Sequence, residues 1–141
     1  MTTVDQIMTP QPVTVKPDTP LADIKQLFDQ NEFHHLPVVN DGNQLAGIIS
    51  RKDLQKTYQL LSKETTGATL TKMEMNFWRA KNIMTEYPLV LAPDDTVGLA
   101  ADIFLANKFH ALPIVDDNEL LGIVTSHDLL ALAYTQVLTN E

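Results

Sequence analysis

Apolar residues in this chain fall into short runs and helical stripes, and the whole series occurs twice. A three-residue run follows a proline at Val13-Thr14-Val15 and again at Leu89-Val90-Leu91. Its length and β-branched content predict a buried strand. Leu21, Ile24, Leu27 and Phe28 then fall on one face of a helix, as do Val97, Ala100, Ile103 and Phe104. Pro20 suits the first turn of the earlier helix, where its missing N–H is no loss. Leu36-Pro37-Val38-Val39 and Leu112-Pro113-Ile114-Val115 predict a second strand. Leu45 to Ile49 and Leu120 to Val124 predict a third. Between them, Asn40-Asp41-Gly42-Asn43 and Asp116-Asp117-Asn118-Glu119 carry turn chemistry, making each pair a hairpin. A last helix begins after Ser50 and after Thr125. The order is β-α-β-β-α, twice.

The identities repeat along with the pattern. Ile7-Met8-Thr9 returns as Ile83-Met84-Thr85, and Pro17-Asp18 as Pro93-Asp94, both 76 residues on. Phe28 and Asn31 meet Phe104 and Asn107, and Phe33-His34 and Leu36-Pro37 meet Phe109-His110 and Leu112-Pro113. One residue drops out near Gly42, after which Gly47-Ile48 and Asp53-Leu54 meet Gly122-Ile123 and Asp128-Leu129 at a shift of 75. A register held this long is a duplication. The expected organisation is a first repeat over 1–60, a linker over 61–79 and a second repeat over 80–141. A small sheet leaves an apolar face uncovered, so the two copies are expected to pack sheet to sheet about a pseudo-twofold axis. The fold class is α/β in the broad sense, α+β in detail.

Composition narrows the function. The 141 residues carry 18 acids against 10 bases, a net charge of −8. That disfavours nucleic-acid binding, which needs clustered cations to displace phosphate counterions. With no cysteine, disulfides, thiol nucleophiles and thiolate metal sites are excluded. No secretory signal or run of ~20 apolar residues is visible, so the expectation is a cytoplasmic protein with no membrane partner. The charge is uneven: residues 1–53 sum to −3, 54–79 to +2 and 80–141 to −7. No Gly-x-Ser-x-Gly elbow, P-loop or dinucleotide fingerprint occurs among only five glycines, so no enzyme is expected. His34 and His35 are adjacent and would point to opposite faces of a strand, which argues against a metal site.

Taken together, the Ile-Met-Thr openings, the Pro-Val-Thr-Val strand, the His-x-Leu-Pro-Val segment and Gly47-Ile48-Ile49-Ser50-Arg51-Lys52-Asp53-Leu54 resemble the CBS domain. A tandem pair of these is similar to a Bateman module. The resemblance implies an adenosine-containing ligand (AMP, ADP, ATP or S-adenosylmethionine) held in clefts between the repeats, with no covalent cofactor and with Mg²⁺ arriving only on a polyphosphate. It also implies a regulatory role, a homodimer and a separate effector protein.

By that resemblance, Ser50 and Thr125 lie near phosphate, and Asp53 and Asp128 hold the ribose. A carboxylate can accept from both ribose hydroxyls, and a strand-to-helix junction offers free N–H groups to an anion. The same Ser/Thr-x-x-Asp pattern is also a helix cap, and the two roles are compatible. Val13 and Thr14, with His35, Leu36 and Pro37, would line the first adenine slot. Leu89 and Val90, with Ala111, Leu112 and Pro113, would line the second. These are equally core and strand-start residues. Lys16, His35, Arg51 and Lys52 in the first copy are matched by Ala92, Ala111, Ser126 and His127 in the second, so a polyanionic nucleotide is expected to prefer the first.

The rival reading is an interaction module without a small ligand. Leu54, Tyr58 and Leu61 extend the helix begun after Ser50, Thr65-Thr66-Gly67 reads as a break, and Met73, Met75, Phe77 and Trp78 form an apolar cluster. Such residues suit a partner surface, or they cover the module's own core.

Overall fold

The computed structural model describes residues 1–64, 77–106 and 109–139. Thr65-Thr66-Gly67, Met73, Met75 and Asn107 lie outside the described residues. The chain divides into two compact units, one contiguous over 13–87 and one made of 1–12 with 88–141. The units therefore do not follow the repeats. The segment that opens each repeat joins the sheet of the other.

In the 13–87 unit, helix α1 runs over Leu21–Gln30, strand β2 over His35–Val39 and strand β3 over Leu45–Ser50. Helix α2 follows over Arg51–Glu64, then a short helix α3 over Ala80–Ile83 and strand β4 over Thr85–Glu86. The sheet order is β2-β3-β4, antiparallel throughout. Leu21, Ile24 and Phe28 are buried on α1, while Asp23, Gln26, Asp29 and Gln30 face water. Pro20 stands just before the helix, not within its first turn; its extended backbone turns the carbonyl toward the N–H groups of Asp23 and Ile24. Around Phe28 gather Val15, Leu36, Val38, Ile49 and Leu54, with Tyr58 and Trp78 at the margin. Full burial of each large side chain contributes roughly 1.5–3 kcal/mol.

In the other unit, a single 3₁₀ turn over Val4–Gln6 precedes strand β1 over Thr9–Pro10. Helix α4 covers Val97–Ala106, strands β5 and β6 cover Ala111–Asp116 and Glu119–Thr125, and helix α5 covers Ser126–Thr139. Its sheet order is β1-β6-β5. Val4, Leu91, Ala100, Leu112, Ile114 and Val124 form the core, with Ile7 and Met8 against it. The residue lost between the copies lies in the hairpin turn. Five residues join Val39 to Leu45, whereas Val115 pairs with Leu120 around four. In the shorter turn Asp117 and Asn118 both take positive φ, the type I′ geometry that matches strand twist.

The run expected as the first strand forms only one parallel bridge in each unit, Val15 to Val38 and Leu91 to Ile114. Prolines account for this. Val15 N–H donates to Pro37 O and its carbonyl accepts from Val39 N–H. The next ladder bond on one side would need an N–H on Pro37, and on the other an N–H on Pro17; neither exists. Pro113 and Pro93 truncate the second copy in the same way.

The lead-in strands β1 and β4 were not expected from the pattern. Each is two residues long and meets a glycine: Pro10 pairs with Gly122, and Glu86 with Gly47. Gln11 and Tyr87, 76 positions apart, both adopt left-handed φ (46° and 50°) immediately before a proline, where the chain leaves one unit for the other. For residues with a Cβ this costs about 1–2 kcal/mol each. Among the described residues no helix is long and apolar enough to cross a membrane.

Candidate functional site

Helix α2 starts with a reciprocal box. The Ser50 hydroxyl accepts from Asp53 N–H at 3.0 Å, and Asp53 Oδ2 accepts from Ser50 N–H at 2.9 Å. Helix α5 repeats it with Thr125 and Asp128, at 3.2 and 2.9 Å. The capping role read from the sequence is thus realised in both copies. It leaves chemistry in reserve. Each box uses one carboxylate oxygen, and each cap hydroxyl, having accepted, can still donate.

The hairpin register places His35 opposite Ser50 and Ala111 opposite Thr125, so these expected residues come together with the boxes. Lys52 and His127 are exposed at the helix starts. Two expected cations are occupied elsewhere. The Arg51 guanidinium donates to Asn31 O (3.0 Å) and Phe33 O (2.7 Å) and stands 5.1 Å over the Phe28 ring, holding the turn between α1 and β2. Lys16 donates to Asn40 O at 3.0 Å and pairs with Asp41 at 3.5 Å. Asn40 follows the far end of β2 from His35, five residues away or roughly 17 Å.

The expected adenine-slot residues are divided. Leu36, Pro37, Leu112 and Pro113 are fully buried, and the Pro37 and Pro113 carbonyls already accept from Val15 and Leu91. Ala111 is buried too, while Val13 (47%) and Leu89 (44%) are substantially exposed, and Thr14 and Val90 are half-buried.

Sequence reasoning did not find a groove that begins at Asp53. It is lined by Asp53, Lys56, Thr57, Leu60 and Leu61 from one stripe of α2 and by Trp78, Asn82 and Ile83 opposite, and encloses about 360 Å³. The signal was present, because 53, 56, 57, 60 and 61 are spaced as neighbours on a helix face.

The CBS domain family matches this chain at residues 4–59 and 80–134. The uncharacterized protein MJ1426 of Methanocaldococcus jannaschii is 32% identical, over 85% of this chain and 84% of its own length. Homoserine O-acetyltransferase of Methanosalsum zhilinae is 30% identical over 90% of this chain, which spans only 23% of that enzyme. Among solved structures, CBSX2 in complex with AMP superposes with a TM-score of 0.80 at 30% identity, covering 96% of this chain and 98% of that one. The CBS domain pair of MJ0100, in complex with 5′-methylthioadenosine and S-adenosyl-L-methionine, gives 0.73 at 25% identity, over 93% and 98%. Two copies of a β-hairpin followed by a helix, each with a Ser/Thr-x-x-Asp box at that helix's start, thus fall one in each family match, and the chain belongs to the CBS domain family as a tandem pair.

Proposed function

We propose that this chain is a non-catalytic regulatory module that binds an adenine nucleotide and acts through ligand-dependent conformation or association. The duplicated Ser50/Asp53 and Thr125/Asp128 boxes carry the reading. Each sets a carboxylate with a spare oxygen and a hydroxyl able to donate at a helix start, where the helix dipole favours an anion. Ribose hydroxyls would donate to the Asp53 carboxylate and phosphate would accept from Ser50, with Lys52 an exposed cation on the same first turn. The similar structure of CBSX2 in complex with AMP, at 30% identity, supports the ligand class. Regulation requires the nucleotide to bind one state better than another, read by a separate effector.

The test is thermal unfolding with AMP, ADP, ATP, NAD and S-adenosylmethionine. A ligand at 100 times its dissociation constant adds about 2.7 kcal/mol; if none raises the melting temperature, the reading fails. Titration of Asp53→Asn and Asp128→Asn with ATP tests the inequality of the copies. The larger loss is expected from Asp53→Asn, and equal losses overturn it.

A second reading, self-association, draws on a different observation. Leu105 (86% exposed), Leu130 (69%) and Tyr134 (66%) project from α4 and α5, whereas α1 turns Lys25, Gln26, Asp29 and Gln30 outward. Sedimentation of the chain and of Leu130→Glu distinguishes a homodimer from a monomer.

A further inference from the structure

The duplication supplies an internal comparison for the outer surface of the second copy. Position for position, exposed polar residues of α1 and α2 are replaced by exposed apolar ones on α4 and α5. Asp23 becomes Leu99, Asp29 becomes Leu105, Gln55 becomes Leu130 and Gln59 becomes Tyr134, with both members of each pair exposed. Leu60, matched by Thr135, runs the other way. Charge follows the same division. Asp23, Asp29, Lys52 and Lys56 are exposed on α1 and α2, whereas among the described residues of α4 and α5 Asp102 is the only exposed Asp, Glu, Lys or Arg. Residues 80–141 nevertheless sum to −7, with acids gathered ahead of α4 and at the β5–β6 turn.

The core beneath this surface is also less closed. Phe28 and Leu54 are 1% and 5% exposed, but their matches Phe104 and Leu129 are only half-buried. Tyr58 and Trp78 pack against the first core, and Ala133 and Thr2 stand at the matching positions.

We propose that a second copy of this chain covers this surface, with α4 and α5 of one chain against α4 and α5 of the other, an inference that rests on the self-association reading above. A twofold contact must be complementary to itself. This face sets projecting side chains, Leu105, Leu130 and Tyr134, beside small ones, Ala101, Ala131 and Ala133, that leave room for them. A nearly uncharged face offers little of the charge pairing that selects an unlike partner, whereas homodimer interfaces are the more apolar class. It also lets two acidic halves meet where they carry the fewest like charges. The polar α1 and α2 surfaces stay in water.

The chain has no cysteine, so a single introduced one marks one face. Asp102→Cys on α4 and its match Gln26→Cys on α1 are treated with a short bis-maleimide, first separately and then mixed and left to exchange. Covalent dimers are expected from Asp102→Cys alone, with no product joining the two variants. In sedimentation equilibrium of the full chain, Leu130→Glu should weaken the dimer about tenfold or more, and its match Gln55→Glu by less than about threefold. Circular dichroism confirms that each variant is folded. In a dimeric chain, three results overturn this pairing and leave self-association standing: no product from Asp102→Cys, a product joining the two variants, or equal weakening by Leu130→Glu and Gln55→Glu. If the unsubstituted chain sediments as a monomer, the pairing and the self-association reading fall together.

Discussion

Met84 lies over Gly47 so closely that a Cβ on the glycine would stand 2.7 Å from the methionine sulfur and 2.7 Å from the Thr85 carbonyl oxygen. Met8 and Thr9 O crowd Gly122 in the other unit in the same way. The glycines in the two Gly-Ile pairs are thus the seats on which the Ile-Met-Thr segments rest. Gly47→Ala should destabilise by about 1–3 kcal/mol, the usual cost of overpacking. Adding Met84→Ala should restore only part of this, because the Thr85 backbone still collides. Urea unfolding of the single and double variants measures both.

The capping boxes make a second expectation. Ser50→Ala and Thr125→Ala each remove an acceptor from a helix N–H, and each should cost about 0.5–2 kcal/mol. Denaturant midpoints check this. A loss in only one variant would mean that the shared sequence pattern does not carry a shared role.

Arg51 separates structure from ligand contact. Its bonds to Asn31 O and Phe33 O, and its place over Phe28, predict that Arg51→Met loses stability on the order of 1.5–3 kcal/mol. Nucleotide affinity should stay within about threefold (~0.6 kcal/mol). Calorimetric titration of the folded variant decides; a tenfold loss of affinity with unchanged stability would return Arg51 to the phosphate.

Tyr58 provides a pH signature. Burial, with a smaller contribution from the Asp29 charge, pushes its hydroxyl up to about 12 from 10.0. The folded state therefore favours the protonated phenol: this stability is fully present below pH 10 and fades as pH rises through 12. The hydroxyl has no hydrogen-bond partner among the described residues. Tyr58→Phe should accordingly be neutral or stabilising at pH 7 and should flatten the decline above pH 10. Melting curves from pH 8 to 12 on both proteins test it.

Local signals made much of the fold legible. The β2–β3 and β5–β6 hairpins follow from apolar runs separated by turn residues, and the helix starts from Ser50 and Thr125, because these choices are settled within a few residues. The lead-in strands were hidden for the opposite reason. Thr9 pairs with Ile123, more than a hundred residues away, and a two-residue strand has no periodicity to detect. The weakness of the first expected strand was readable in hindsight, since Pro17 and Pro37 delete the N–H groups on either side of Val15. Around the boxes, the caps were legible in the Ser/Thr-x-x-Asp pattern, whereas Trp78 was read as part of a linker cluster and not as one wall of a groove. Its neighbours across the groove are set by packing between α2 and α3, which no local pattern encodes.

The crossed lead-in strands decide where this molecule can be cut. A break between the repeats, near residue 79, would leave the front piece without Thr85 and Glu86 and the rear piece without Thr9 and Pro10, so both would carry a bare sheet edge. A piece spanning 13–87 keeps every strand of its own sheet. After such an exchange neither copy of the duplication is dispensable: losing one by deletion would also strip the survivor of its border.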